Sequence, residues 1–274
     1  MTEASIRALD GLRDFSTLQW YVIPLLAIVL YIYAVEMRKA KAGRNWDAVI
    51  AGLTLFGMDF FNETWNGWAL NISGRSAFWT APGPTALRTM VGWNIEIMFM
   101  FAIAGIVFYH LCPENREERI LGLPARWFWA VFFTAFCVLV ECVLNIGGLL
   151  VWEYPFWNRT FAGIWLILVF GYFEFFAAIN LVLGLKTNRR KLAAVGFFHV
   201  SAITGRPLAS KAGIARNDGI RSMSGVGEIS TAWPAALTFK RSPKLYPRLI
   251  VAWPSAIYKS SKSDAGISRF VWHS

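Results

Sequence analysis

Carboxyl and amide side chains interrupt the long apolar runs of this sequence, and their spacing points most directly to chemistry. Asp59, Asn62, Glu63 and Asn66 follow one another at i, i+3, i+4 and i+7, which predicts that all four lie on one face of a helix. Ionisable side chains at bilayer depth are costly unless they face a polar cavity or a partner. These residues are therefore candidates for a functional site.

Three further apolar runs carry side chains of the same kind. Glu96 follows Asn94 near the start of one run, and Glu141 lies four residues before Asn145 in the next. Glu174 occupies the middle of the last run. Hydrogen bonding between helices is an alternative role for all of them, and it is worth on the order of 1 kcal/mol per contact. Because Glu96 and Glu141 are embedded most deeply among apolar residues, we expect them to be functional.

The pattern predicts acid–base chemistry by carboxyl groups. One buried glutamic acid, Glu96 or Glu141, would act as the acid, while a better hydrated Asp59 or Glu63 would act as the base. Aromatic rings nearby would stabilise a carbocation through cation–π contact. The predicted catalytic residues are Asp59, Glu63, Glu96 and Glu141. The residues predicted to bind substrate are Asn66, Asn94, Asn145, Glu174, Trp65 and Trp93.

Neither a metal nor a cofactor is predicted for this site. The three histidines, His110, His199 and His273, lie at or beyond the ends of the predicted spans, whereas zinc and non-haem iron centres normally recruit imidazole. No Gly-rich phosphate loop, nucleophile elbow or Cys-x-x-Cys motif occurs. The leading interpretation is a cyclase or isomerase that modifies a lipid or isoprenoid substrate. The alternatives are a cation- or proton-coupled transporter or channel subunit, and a non-catalytic membrane adaptor.

Five apolar segments are long enough to position these residues within a membrane. The chain is 56% hydrophobic and only 16% charged, which is far from the average of soluble proteins. A helix needs about 20 apolar residues to cross the hydrocarbon core. The predicted fold class is therefore an all-α, polytopic transmembrane helical bundle of about five spans in the cell membrane, in contact with membrane lipids. The segments are residues 18–35, 47–68, 89–111, 127–151 and 160–185, within a membrane domain at 18–185.

Lysine and arginine predict the orientation of this bundle. One set of connections contains eleven of these residues and the alternate set contains only Arg75, Arg88 and Arg159, so the first set is predicted to be cytoplasmic. Residues 1–17 then form a segment outside the cytoplasm. In this orientation the acids and amides of the second, third and fourth spans fall in the outer half of the membrane, while Glu174 lies near the middle of its span. We expect them to form a vestibule that opens outward beneath residues 65–87.

Residues 186–274 are predicted to form a basic cytoplasmic tail that is mostly disordered. After residue 191, eleven Lys and Arg against three Asp and Glu account for most of the net charge of +10. Attraction to anionic lipid headgroups explains this charge without nucleic acid as a partner. Residues 192–203 are apolar but too few to cross the membrane, which predicts an interfacial helix there. One hypothesis is that a longer bundle is interrupted at this point by a frameshift or gene fusion.

Overall fold

The protein is mostly helical. The computed structural model describes the backbone of residues 1–113, 115 and 117–222, and the side chains of these residues up to 205. The predicted disorder of the tail therefore falls, from residue 223 onward, outside the described residues. The helices are α1 (Glu3–Asp10), α2 (Val22–Gly43), α3 (Asp47–Ser73), α4 (Ile95–Leu111), α5 (Ala125–Ile146), α6 (Phe161–Ile167), α7 (Glu174–Leu183) and α8 (Asn188–Ser222), with a 3₁₀ turn at Phe15–Thr17 and a π-helix at Leu168–Phe173 between α6 and α7.

Three short antiparallel strand pairs lie in the connections between the helices. The strands are β1 (Trp79–Thr80), β2 (Arg88–Met90), β3 (Trp93–Asn94), β4 (Arg119–Ile120), β5 (Leu123–Pro124) and β6 (Val151–Trp152). β2 pairs with β3 and β4 with β5, so these two pairs are local hairpins. β1 pairs with β6, and this pair ties the connection that precedes α4 to the connection that follows α5.

Apolar surfaces identify helices suited to a lipid environment. Among the described residues, two helical stretches are long and apolar enough to cross a membrane, Ala125–Ile146 and Phe161–Leu183, and Ile95–Leu111 is apolar but shorter. Large apolar side chains such as Leu30 of α2 and Leu139 of α5 are exposed, as expected for surfaces that contact lipid. The structure therefore supports a helical bundle with membrane-crossing helices, whereas the lengths and compositions of its helices do not confirm five spans.

The central helix is α3, which packs against α2, α4, α7 and α8. Its contact with α4 depends on small residues. Gly105 of α4 lies so close to Ala51 that an added Cβ would overlap the Ala51 carbonyl group. Gly52 faces Ile106 at a similarly short range. Such contacts are typical of helices that associate in lipid, and here they fix the position of α4 along α3.

The last helix, α8, lies beside α3 and runs in the same direction. Lys191 forms an ion pair with Asp47 at the start of α3. Further along both helices, Trp68 Nε1 donates a hydrogen bond to the Gly205 carbonyl oxygen at 2.9 Å. The sequence analysis predicts a short interfacial helix at 192–203, but the structure has these residues inside a longer helix that follows α3. The side of this helix toward α3 includes Ala202, whose carbonyl oxygen accepts from the Thr64 hydroxyl group, and His199, which lies against Gly57, while apolar residues such as Phe197 stay exposed.

The connections at one end of the bundle form a compact cap with the N-terminal segment. Arg88 is buried, and its guanidinium donates to the carbonyl oxygens of Ala81 and Gly83 at 2.9 and 2.6 Å. The Arg13 N–H donates to the Arg88 carbonyl oxygen at 2.7 Å. Arg88 thus joins the N-terminal segment to the loop that carries β1 and β2, and it positions this loop over the end of α3.

Candidate functional site

A cavity of about 120 Å³ is lined by residues of α3, α4, α5 and the π-helix. Its polar lining consists of Asp59, Asn62 and Glu63 from α3, Glu141 from α5 and Tyr172 from the π-helix. The remaining walls are apolar or aromatic, and no Lys, Arg or His is among the described residues that line it. The volume suffices for several water molecules or for part of an apolar ligand. The structure thus brings together three of the four predicted catalytic carboxyl groups.

Asp59 is held by an indole. Its Oδ2 atom accepts a hydrogen bond from Trp93 Nε1 at 2.6 Å. The Trp93 ring stacks on Phe60 with ring centroids 5.3 Å apart and also contacts Phe56. Trp93 is predicted to bind substrate, but it is not part of the cavity lining, and its contact with the site is the hydrogen bond to Asp59.

Glu63 has one bonded and one unbonded oxygen. Oε1 accepts a hydrogen bond from Trp79 Nε1 at 2.5 Å, and Oε2 is buried without a hydrogen-bond partner among the described residues. Gly92 touches both side chains, because an added Cβ would lie 2.5 Å from Trp79 Cδ1 and 2.8 Å from Glu63 Oε1. An indole N–H can only donate, so Oε1 is fixed as an acceptor. The Oε2 atom is left for a proton or a ligand.

The Glu141 carboxyl group and the Tyr172 hydroxyl group are in the same lining and interact with each other. The Tyr172 ring packs between Phe101 and Phe175, with centroid distances of 6.4 and 5.7 Å. Tyr172 belongs to the π-helix, and such segments occur frequently at functional sites because they shift side chains out of the regular helical register. Sequence reasoning missed this residue, since nothing in an apolar run signals a π-helix.

The cavity reaches the surface on the side of the bundle. Trp79 and Trp157 cover the end of the cavity next to the β1–β6 pair, with their rings stacked at 5.8 Å. The exposed lining residues are Met100 of α4 and Phe136 and Val140 of α5, at 50%, 53% and 38% exposure. These two helices touch each other sparsely. The opening therefore lies between α4 and α5, and not outward beneath the loop as the sequence analysis expects, because the β1–β6 pair closes that end.

Glu96 and Asn94 lie outside this cavity. Glu96 is in the first turn of α4, where it accepts hydrogen bonds from the Tyr21 and Thr85 hydroxyl groups, both at 2.5 Å, and from the Ala86 N–H at 2.9 Å. Asn94 is the N-cap residue of α4. A carboxylate at a helix N-terminus with both oxygens bonded is a stable structural contact. The fourth predicted catalytic residue thus fastens the start of α2 to the loop before β2.

The amides predicted to bind substrate make backbone contacts. Asn66 is fully buried, and its Oδ1 accepts from the N–H groups of Phe78 and Trp79 at 2.8 and 3.2 Å. It therefore holds β1, which carries the indole that binds Glu63. Asn145 donates from Nδ2 to the Leu150 carbonyl oxygen at 3.0 Å and lines a second cavity rather than the first.

The two remaining predicted residues lie away from the cavity lining. Glu174 accepts a hydrogen bond from Asn62 Nδ2 at 2.5 Å, so it supports a lining residue from the α7 side. Trp65 is 53% exposed and does not line the cavity. Trp79 and Trp157 do line it, and their only sequence signal is their place in loops rich in Trp, Gly and Pro.

The cavity combines groups that exchange protons with walls that suit a hydrocarbon. Three carboxyl groups and one phenol are placed within a single lining, and aromatic faces surround them. Within the described residues, no three His, Cys, Asp or Glu side chains are grouped closely enough to hold a metal ion. The arrangement is therefore suited to proton transfer at an apolar molecule.

Comparisons with known proteins agree with the membrane character of these helices. Residues 2–208 match the model of an uncharacterized membrane protein family, so the match ends within α8. A protein of Archaeoglobus fulgidus, described as an uncharacterized protein, is 44% identical over 196 residues, which cover 72% of this chain and 90% of that protein. No solved structure matches the chain. The chain belongs to this uncharacterized membrane protein family.

Proposed function

We propose that this protein is a membrane-embedded enzyme of the cyclase or isomerase type, which modifies a lipid or isoprenoid by carboxyl acid–base catalysis. The observation that carries the proposal is the buried, unbonded Oε2 atom of Glu63 in a cavity whose opening is flanked by exposed apolar residues. A substrate dissolved in the bilayer would enter between α4 and α5 without passing through water. Its hydrocarbon would then lie against the carboxyl groups.

The chemistry requires one proton donor and one proton acceptor. In an isomerisation, the O–H proton of the acid adds to one carbon of a double bond, which leaves a positive charge on the other carbon of that bond. The base then removes a proton from the next carbon, which is attached to the charged one. The double bond shifts, and no oxidant or reductant is consumed. Glu63 Oε2 is buried beside the cavity without a described hydrogen-bond partner, so a small movement of the side chain would bring it to the substrate, whereas Glu141 interacts with Tyr172, which supplies a second exchangeable proton. We assign the roles of acid and base to Glu63 and Glu141, and we assign to Asp59 the support of Glu63.

Aromatic faces would stabilise the positive charge that forms during proton addition. Trp79, Trp157 and Tyr172 all line the cavity. Cation–π attraction contributes about 2 kcal/mol or more when the ring and the cation are both removed from water. A hydrocarbon that fills the cavity would displace its water, which would otherwise add to a carbocation and give an alcohol.

A proton or cation pathway is the second candidate function. The observation in its favour is that the cavity collects three carboxyl groups while none of its described lining residues is basic. A pathway also needs a polar exit; Ile167 and Phe175 are apolar and buried, and Asn62 with its partner Glu174 is the polar contact that the lining makes on the α7 side. The enzymatic function is therefore the stronger of the two.

The proposed topology has six crossings, with the N-terminus outside. It differs from the predicted five because α8 accompanies α3 and carries exposed apolar residues such as Phe197 and Ile203. A membrane-impermeant maleimide added to intact cells, with the native cysteines replaced, tests this arrangement. We expect labelling of Arg75→Cys and Thr204→Cys but not of Arg44→Cys. Labelling of Thr204→Cys only after permeabilisation would restore the five-span topology.

Deuterium transfer from solvent tests the proposed chemistry even where product and substrate have the same mass. The purified protein would be reconstituted in vesicles that contain geranylgeraniol or its phosphate, in D₂O, and the lipids analysed by mass spectrometry. We expect incorporation of deuterium into the isoprenoid and a decrease of about 100-fold or more for Glu63→Gln. Glu96→Gln is the matched control, because Glu96 lies outside the cavity, and it should retain most of the activity.

Two outcomes would contradict the enzymatic function. The first is the lack of deuterium incorporation into any isoprenoid or native lipid of a total membrane extract. The second is equal loss of activity in Glu63→Gln and Glu96→Gln when both variants remain folded. Acidification of the vesicle lumen that depends on Glu63, reported by an entrapped pH dye, would favour the proton pathway instead.

A further inference from the structure

One stripe of the helical stretch from α6 to α7 forms a wall of the cavity that contains Glu63. Ile167, Gly171 and Phe175 follow one another at intervals of four residues, and all three line this cavity. Ile167 is fully buried and Phe175 is 3% exposed. Between these two large side chains stands a glycine, so the wall is recessed at position 171.

Neither the backbone nor the packing requires glycine at this position. Gly171 lies in the π-helix and is not among the glycines with positive φ. An added Cβ would lie 3.4 Å from Ile167 Cγ2 and 3.5 Å from Trp157 Cζ2, which are ordinary van der Waals distances. Gly92 lines the same cavity and differs, because a Cβ there would overlap the Trp79 ring. Since alanine would fit at 171 and is the better helix former, the effect of the glycine is the space that it leaves.

The recess adjoins the groups that are assigned to proton transfer. Tyr172 follows Gly171 in the chain, lines the same cavity and interacts with Glu141. On its other side the recess is bounded by Trp157, whose ring stacks on Trp79. A hydrocarbon group in the recess would therefore contact the Trp157 indole within the lining that also contains the carboxyl groups.

We propose that the recess at Gly171 receives a methyl branch of the hydrocarbon substrate, which makes Gly171 a specificity-determining residue. The space has the width of one carbon atom, because a single added carbon at 171 is already in contact with Ile167 and Trp157. The inference rests on the proposed function, in which a hydrocarbon is bound in this cavity. It selects branched isoprenoid chains over straight chains as the substrate class.

A branch held in the recess also directs the proposed reaction. When a proton adds to a double bond that carries one methyl branch, the positive charge is more stable on the branched carbon, so the proton enters at the other carbon. The base then removes one proton from the carbon next to the charge, and no further reactant is consumed. The recess would present these carbons to the carboxyl groups in a fixed order.

A binding assay with saturated probes tests the recess without any reaction. The probes are fully hydrogenated geranylgeraniol and hexadecanol, whose main chains are equally long and of which only the first is branched. Each displaces tritiated hydrogenated geranylgeraniol from the purified full-length protein in lipid nanodiscs. Because alanine fills the space of one methyl group, we expect Gly171→Ala to lower the ratio of branched to straight affinity by about fourfold or more. Comparing this ratio between variants cancels the partitioning of each probe into the lipid.

Gly196→Ala is the matched control. Gly196 lies in α8, outside the cavity lining, and an added Cβ there meets nothing within 4 Å. We expect this variant to keep the affinity ratio of the unmodified protein.

Three results would overturn the proposal: an unchanged affinity ratio in Gly171→Ala, an unmodified protein that binds neither probe, or a Gly171→Ala variant that does not fold. The last would show that position 171 lacks the space inferred from its contact distances. Deuterium transfer to geranylgeraniol is measured on the same preparations. A lowered ratio without any deuterium transfer would support the recess and remove the catalytic function, whereas transfer with an unchanged ratio would remove the recess alone.

Discussion

The hydrogen bond between Trp79 and Glu63 makes a prediction that can be worked out from the geometry. Trp79→Phe keeps an aromatic ring over the cavity but removes the N–H that contacts Glu63 Oε1 at 2.5 Å. Because Oε2 has no hydrogen-bond partner among the described residues, the variant leaves this buried side chain only its interactions with the Asn66 amide and the Gly92 backbone. A buried acceptor without a partner costs about 1–3 kcal/mol, so the free energy of unfolding should fall by about that amount.

A double-mutant cycle separates this hydrogen bond from changes in packing. Glu63→Leu removes the acceptor, and in that background Trp79→Phe leaves no unbonded oxygen behind. We therefore expect a coupling free energy of about 1–3 kcal/mol between the two substitutions, measured by unfolding in mixed detergent micelles. Trp65→Phe is the matched control because Trp65 is exposed, and it should show no coupling to Glu63→Leu. Additivity within about 0.5 kcal/mol would refute the assigned contact.

Three further predictions follow from contacts elsewhere in the bundle. Gly105→Leu should destabilise the protein by about 1–3 kcal/mol or prevent its assembly, because the side chain would overlap Ala51 of α3; unchanged unfolding would contradict that close contact. Lys191→Met should cost about 2 kcal/mol by leaving Asp47 unpaired, and addition of Asp47→Asn should restore most of the loss, as unfolding of the double variant would show. Tyr172→Phe should lower deuterium transfer by about tenfold or more in a protein that remains folded, and full activity would remove Tyr172 from the proton path.

Helical periodicity predicted the part of the site that a single helix carries. Asp59, Asn62 and Glu63 share a face because a helix repeats every 3.6 residues, and this relation is independent of the rest of the fold. The convergence of Glu141 with them followed from shared depth in the membrane. Depth alone did not separate Glu96 from Glu141, because it says nothing about the rotation of a helix around its axis.

The remaining features depend on contacts that leave no periodic signal. Glu96 bonds to Tyr21, which is distant along the chain, so its structural role is invisible until the fold is known. Tyr172 enters the cavity through a π-helix within an otherwise regular apolar run. The apolar stretch at 192–203 was predicted to lie at the interface because it is too short to cross the membrane. In the structure it is part of the longer α8, and His199 lies against Gly57 of α3, a contact that hydropathy alone cannot indicate.

The β1–β6 pair connects the two cavities mechanically. Trp79 and Trp152 are directly opposite each other in this pair, and each is part of the lining of a different cavity. In an antiparallel pair, a shift by one residue would turn every side chain to the other face, so the register fixes both indoles together. Asn66 holds β1 from the α3 side through the backbone N–H groups of Phe78 and Trp79. A substitution at Trp152 that displaces β6 therefore acts on the same two-stranded unit that carries Trp79, the indole that binds Glu63.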